Sequence, residues 1–202
     1  MKQVLIATAL AVTAAGALAA ASVGQAAPAF SAVDTAGKTV SLADFKGNHV
    51  VLEWVNPGCP FVVKHYGSSN MQGTQKEAAA KGVVWLAINS TAAEATDFKT
   101  PAAMAQWMQG QKAAAAATLM DPEGKVGKAY GARTTPHMYV INPAGTLVYA
   151  GAIDSKPSSN PADIPSATNH VKVALAETLA GKPVSVATTR PYGCSVKYAS
   201  GA

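Results

Sequence analysis

Two cysteines hold the reactive chemistry of this chain. Cys59 closes the turn Asn56-Pro57-Gly58 after an apolar run and precedes Pro60-Phe61-Val62-Val63-Lys64-His65-Tyr66. A strand, a tight turn and a helix beginning just past a cysteine set its thiol at a helix N-terminus, where unpaired amides and the macrodipole favour thiolate over thiol. Cys194 stands 135 positions later, within Tyr192-Gly193-Cys194-Ser195. That separation is neither a metal-ribbon spacing nor part of a dense disulfide framework. The pair is either redox-active or a permanent staple, and a staple closing so long a loop would contribute about 4–5 kcal/mol. Glu53 is the one charge inside the apolar run 50–55.

Positioning these residues requires a core. Residues 50–55 are apolar without alternation, as expected of a central strand covered on both faces, and residues 83–88 repeat the pattern. Between them Pro60 opens a helix to about 66, Gly67-Ser68-Ser69-Asn70 interrupts it, and a second helical segment runs 71–81. Strand, helix and parallel strand make an α/β core. Upstream, Asp34-Thr-Ala-Gly37-Lys38 turns a small hairpin and residues 40–45 form a helical turn. Downstream, Thr100-Pro101 opens a helix, residues 116–120 form a short strand, and Asp121-Pro122-Glu123 opens a helix ending near Tyr130-Gly131. Residues 137–141 and 146–150 form an antiparallel hairpin around Asn142-Pro143-Ala144-Gly145. A Pro- and Ser-rich loop over 154–165 precedes a last helix at 166–180, and the tail 182–202 is apolar enough to fold back.

Helical geometry separates the obvious candidates. At about 100° per residue, Lys64 and His65 lie roughly 140° and 240° around the helix from Cys59, whereas Val62 and Val63 share its face. The dipole is therefore the activator, and the two basic residues are surface or tail-binding groups. His137 reads as a packed or exposed strand histidine, and Asn56, Trp54 and Trp85 as turn and core residues.

Lys2, an Ala-rich apolar stretch from residue 4 to 21 and Gly24-Gln25-Ala26-Ala27 read as an export signal over 1–26, leaving 27–202 as one domain. An uncleaved membrane anchor is the alternative, weakened by Thr8, Thr13 and Gly16. The whole chain has 16 Lys and Arg against 11 Asp and Glu; removal of Lys2 leaves a net charge of +4. No run of five cations occurs, so composition gives no nucleic-acid footprint.

The order hairpin, βαβ, helix, strand, helix, antiparallel hairpin and terminal helix resembles the thioredoxin fold with a redoxin-type insertion. Val50-Val-Leu-Glu-Trp-Val-Asn-Pro-Gly-Cys59-Pro-Phe-Val62 resembles the thioredoxin active-site segment. Arg133-Thr-Thr-Pro136-His-Met-Tyr-Val resembles its Thr-Pro strand, whose proline is cis in the family. Cys-Pro-Phe-Val-Val-Lys-His-Tyr combined with the terminal Gly-Cys-Ser-Val-Lys-Tyr is similar to a branch of the alkyl hydroperoxide reductase and thiol-specific antioxidant (redoxin) superfamily. The implied fold is a central mixed sheet flanked by helices, with an N-terminal hairpin.

The resemblance implies an exported, periplasmic thiol-disulfide oxidoreductase. Cys59 is its nucleophile, activated at Pro60, and Thr135 and Pro136 pair with an extended substrate. Val62 replaces the second cysteine of Cys-x-x-Cys, so Cys194 is the only resolving thiol within the chain. Glu53 matches the family's buried acid; desolvation would raise its pKa and let it pass protons to the thiols, unless it is simply satisfied at a strand edge. The partners implied are a protein disulfide or a peroxide as substrate and an external thiol donor, with no cofactor, no nucleic acid and no stable membrane insertion. A peroxidase is the first alternative, but Leu52 and Asn56 occupy the Pro and Thr positions of the peroxiredoxin Pro-x-x-x-Thr-x-x-Cys. A copper or zinc carrier using both cysteines with His65 or His137 is the second, although Val63 fills the place of the copper chaperones' second cysteine.

Overall fold

A computed structural model describes residues 20–199. Nine strands and five helices follow in chain order. Strands β1 (Ser31–Asp34) and β2 (Thr39–Ser41) form the N-terminal hairpin, followed by a 3-10 turn at Leu42–Phe45. The core then runs through β3 (Val50–Trp54), α1 (Pro60–Gly67), α2 (Asn70–Ala79), β4 (Val84–Asn89), α3 (Pro101–Gly110), β5 (Ala117–Met120) and α4 (Lys125–Tyr130). Last come β6 (Thr134–Thr135), β7 (His137–Ile141), β8 (Leu147–Gly151), α5 (His170–Leu179) and β9 (Cys194–Ser195). The main sheet has the order β2-β1-β5-β4-β3-β7-β8, and β6 pairs with β9 in a separate ribbon.

Strand β3 is central because every residue in it is buried. It pairs in parallel with β4 and antiparallel with β7, placing Glu53 between Ala87 and Met138. Alternation sends Val50, Leu52 and Trp54 to one core with Leu86, Ile88 and Tyr139. Val51 faces the other core, with Cys59, Val62, Tyr66, Met71, Trp85 and Met138. Glu53 shares the parity of Val51 and lies on the thiol's side.

Three helix starts differ from the sequence reading, and several strand ends shift by one residue. The helix after Asp121 starts at Lys125 because the Asp121 carboxylate accepts from the amides of Val126 (3.2 Å) and Gly127 (2.9 Å), and Gly124, at φ 69°, turns the chain into it. The last helix starts at His170, capped by Asn169 Oδ1 accepting from the Lys172 amide at 3.0 Å, because Pro161–Ser166 forms a 3-10 turn of its own. The second segment of the βαβ crossover begins at Asn70, after Ser69 takes up φ 61°.

Residues 1–19 of the expected signal lie outside the described residues. Within the rest, the Ala21 amide donates to Ala129, Gly24 to Leu147 and Ala27 to Gly145, and Ala26 bridges Thr146. Residues 21–26 are thus hydrogen-bonded onto the domain. No helix among the described residues is long and apolar enough to cross a membrane.

Candidate active site

Asn56 builds the turn that presents Cys59. Its side-chain oxygen accepts from the Gly58 amide at 2.8 Å, while its amide nitrogen donates to Thr91 Oγ1 (3.2 Å) and Asp97 Oδ2 (2.7 Å). Cys59 is then the residue immediately before α1, with Pro60 at the first helical position, where its missing N–H costs nothing. The Cys59 thiol donates to the Thr135 carbonyl at 2.9 Å, and the residue is 2 % exposed. The Thr135-Pro136 peptide bond is cis.

The tail lands here. Strand β9 pairs antiparallel with β6, matching Thr135 with Cys194 and Thr134 with Ser195. Gly193, at φ 137°, crosses the Thr135 carbonyl so closely that an added Cβ would overlap the oxygen and sit 2.8 Å from the carbonyl carbon. Farther along, the Val196 amide donates to Arg133, Ala92 donates to Lys197, and Tyr198 Oη donates to the Ala132 carbonyl at 2.8 Å. Both thiols are free, and Cys194 lies against Cys59. A cavity of about 610 Å³ opens beside Thr134 and Gly193, bordered by Asp154, His170 and Arg190.

The two sulfurs differ electrostatically. Burial pushes the Cys59 thiol up, but the Cys194 thiol, the Thr135 side chain and the backbone amides of Cys194 and Val62 outweigh it, holding Cys59 below the ordinary thiol range. The buried Thr135 hydroxyl makes no hydrogen bond while Cys59 is a thiol, which leaves it free to donate to a thiolate. Burial and the neighbouring Cys59 push Cys194 the other way, well above the ordinary range. These surroundings favour the thiolate at Cys59 over that at Cys194.

Glu53 lies beneath them, fully buried. Trp85 Nε1 (2.8 Å) and Gln75 Nε2 (3.1 Å) donate to one carboxylate oxygen, and Tyr66 Oη (2.8 Å) donates to the other. Desolvation raises its pKa to about 7 against the pull of those three donors. Its hydrogen bonds reach neither thiol. Trp85, expected only as a core residue, is thus also a donor to the acid; Tyr66 and Gln75 carried no sequence signal for that role.

Lys64 and His65 are not surface groups. They are buried with Asp154 behind the half-buried Tyr192: Lys64 Nζ lies 3.6 Å from Asp154 Oδ2, and His65 Nε2 is 3.4 Å from Tyr192 Oη. Their tail contact was foreseen and their burial was not, because Asp154 is far away in sequence. His137 faces the opposite core. It pairs with Trp54, its Nδ1 lies 3.1 Å from Tyr139 Oη, and burial followed by Arg133 lowers its pKa to about 3. The two histidines thus flank different cores, and among the described residues no three His, Cys, Asp or Glu side chains gather as a metal set.

The model of the AhpC/TSA family matches residues 23–150. The chain belongs to the AhpC/TSA family. This AhpC/TSA chain is a thiol-based oxidoreductase on a thioredoxin-like fold. An uncharacterized conserved protein from Geobacillus kaustophilus is 30 % identical, with a TM-score of 0.77 over 90 % of this chain and 94 % of its own. A hypothetical protein from Sinorhizobium meliloti is 25 % identical, with a TM-score of 0.77 over 91 % and 98 %. The thioredoxin domain of a thiol-disulfide oxidoreductase from Bacteroides vulgatus, 22 % identical with a TM-score of 0.52 over 72 % and 96 %, shares the fold. No curated protein matches the chain.

Proposed function

We propose that this protein is an exported thiol-disulfide oxidoreductase in which Cys59 is the nucleophile and Cys194 the resolving thiol. The observation that carries this reading is the pairing of β9 with β6, which sets Cys194 against Cys59 at the start of α1. The Cys59 thiolate attacks a client disulfide, forming a mixed disulfide and expelling one client thiolate. Cys194, losing its proton, then attacks the Cys59 sulfur, expels the second client thiolate and leaves Cys59–Cys194 oxidised. An external thiol donor returns both to thiols.

The Thr135 backbone beside Pro136 is paired with Cys194 of the tail, so an extended client would meet it only with β9 displaced from β6; Pro60 fixes the first turn of the activating helix, and Glu53 supplies or accepts protons. Export rests on the sequence of residues 1–26.

The peroxidase alternative draws no support from the two positions that correspond to the peroxiredoxin Pro and Thr. Leu52 points into the opposite core, and the Asn56 side chain is committed to Gly58, Thr91 and Asp97, so neither supports a peroxide over Cys59. The carrier alternative lacks a shared site, with His137 across the sheet and His65 engaged by Tyr192 and Asn70.

Non-reducing peptide mapping after one equivalent of a model protein disulfide tests the reading. The wild type should yield a Cys59–Cys194 linkage, Cys194→Ser a stable mixed disulfide on Cys59, and Cys59→Ser neither. A mixed disulfide on Cys194 in Cys59→Ser, with none on Cys59 in Cys194→Ser, would reverse the roles.

A further inference from the structure

The exchange chemistry leaves Lys64, His65 and Tyr192 without a part, yet these residues are among the most elaborately held in the molecule. Tyr192 lies two positions before Cys194. Its ring packs edge-on against Phe61 (centroids 5.8 Å, 64°) and under Lys64 Nζ (5.7 Å), and its hydroxyl donates to Asp154 Oδ1. Asn70 Nδ2 donates to His65 Nδ1 at 2.8 Å, which leaves the imidazole proton on Nε2, aimed at Tyr192 Oη. Lys64 Nζ donates to the Lys156 carbonyl at 3.1 Å and neutralises Asp154 Oδ2, an oxygen with no hydrogen bond of its own.

Burying a lysine and an aspartate carries a desolvation penalty that their attraction must first offset. An apolar contact would hold a tail at less cost. What the ionic cluster adds is direction: a hydroxyl bonded to a fixed carboxylate holds Tyr192 in one place, whereas a greasy contact slides. Only Gly193 separates Tyr192 from Cys194, and it passes so close to the Thr135 carbonyl that no side chain would fit there. The rest of the tail is anchored independently by Val196, Lys197 and Tyr198.

We propose that Lys64, His65, Asp154 and Tyr192 form a latch that holds Cys194 in register opposite Cys59 for the second exchange step. The proposal rests on the reading of Cys194 as the resolving thiol. It also joins two distant motifs: Lys64-His65 after the nucleophile and Tyr192-Gly193 before its partner are halves of one device. These are positioning residues, because they act through Cys194 and do not touch the reacting sulfurs.

The experiment uses the reduced full chain and one equivalent of the aromatic disulfide 5,5′-dithiobis(2-nitrobenzoate), whose released thiolate is coloured. Attack by Cys59 releases the first thiolate and leaves an aryl mixed disulfide; attack by Cys194 on that sulfur releases the second. Tyr192→Ala should keep the first phase at the wild-type rate or faster and slow the second roughly tenfold or more, as an oriented intramolecular partner becomes a loose one. Tyr192→Phe, which keeps the ring and loses the hydroxyl, should fall between them, and Asp154→Asn should resemble Tyr192→Phe. A Tyr192→Ala second phase at the wild-type rate would overturn the latch alone. Equal slowing of both phases would also overturn it, since general destabilisation would then explain the effect. A wild type that releases a single thiolate would overturn the resolving role and the latch together.

Discussion

Glu53→Gln isolates the energetics of the buried acid. The Glu53 carboxyl has a folded pKa of about 7 against an ordinary 4.5. Between those values the folded state keeps a proton that the unfolded chain has released. Stability from this group is therefore complete below pH 4.5 and is lost as pH rises through 7. A shift of about 2.5 units corresponds to about 3 kcal/mol at 1.36 kcal/mol per unit.

His65 and His137 oppose this trend. Burial lowers them to about 4 and about 3, so the unfolded chain takes up protons that the fold refuses, and stability is lost as pH falls below 6.5. Both histidines remain in Glu53→Gln, so their contribution cancels in the difference between wild type and variant. Urea unfolding of the reduced proteins, from pH 4.5 to about pH 8, should show the wild type losing about 3 kcal/mol relative to the variant, at equal m-values. Parallel curves would refute a raised Glu53 pKa. A wild-type advantage that grew with pH would mean that the three donors outweigh desolvation.

Four further outcomes follow from individual contacts. Gly193→Ala must relieve a collision with the Thr135 carbonyl, a backbone strain of about 2 kcal/mol or more, and so should lower the equilibrium constant for Cys59–Cys194 formation at least about thirtyfold in a glutathione redox titration. Lys64→Met leaves the Asp154 carboxylate buried without its cation and should cost about 3–5 kcal/mol by urea unfolding; adding Asp154→Asn should recover much of that loss. His137→Gln should leave the rate of Cys59 alkylation unchanged, because the imidazole belongs to the opposite core. A chain beginning at Ala27 should melt several degrees below one beginning at Ala20, having lost the hydrogen bonds of Ala21 and Gly24 and the Ala26 bridge; calorimetry of the two checks this.

The sheet and its helices were legible because their signals are local. Apolar runs, interrupted only by Glu53, announced β3 and β4, Pro60 and Pro101 opened helices, and Asn142-Pro143-Ala144-Gly145 turned the hairpin. Cap positions were less so: Asp121 looked like the residue just before a helix, yet it holds amides five and six positions on. The long-range contacts of the site were not legible. Helical phase correctly removed Lys64 and His65 from the face of Cys59, but no periodicity reveals that Asp154, in a Pro- and Ser-rich loop, turns inward to meet them. The donors around Glu53 come from α1, α2 and β4, and only the packed fold brings Tyr66, Gln75 and Trp85 to one carboxylate. The tail's composition suggested that it folds back, while its landing place on Thr134–Thr135 depends on an edge that the sequence does not mark.

The central claim is that Cys59 ionises before Cys194, and site-resolved alkylation of the reduced wild type measures this directly. Iodoacetamide is pulsed across a pH series and each cysteine peptide is quantified by mass spectrometry. Cys59 should be modified with a midpoint below the ordinary thiol value of 9.0 and Cys194 with a midpoint above it. Coincident midpoints, or Cys194 reacting at the lower pH, would contradict the assignment of nucleophile and resolving thiol.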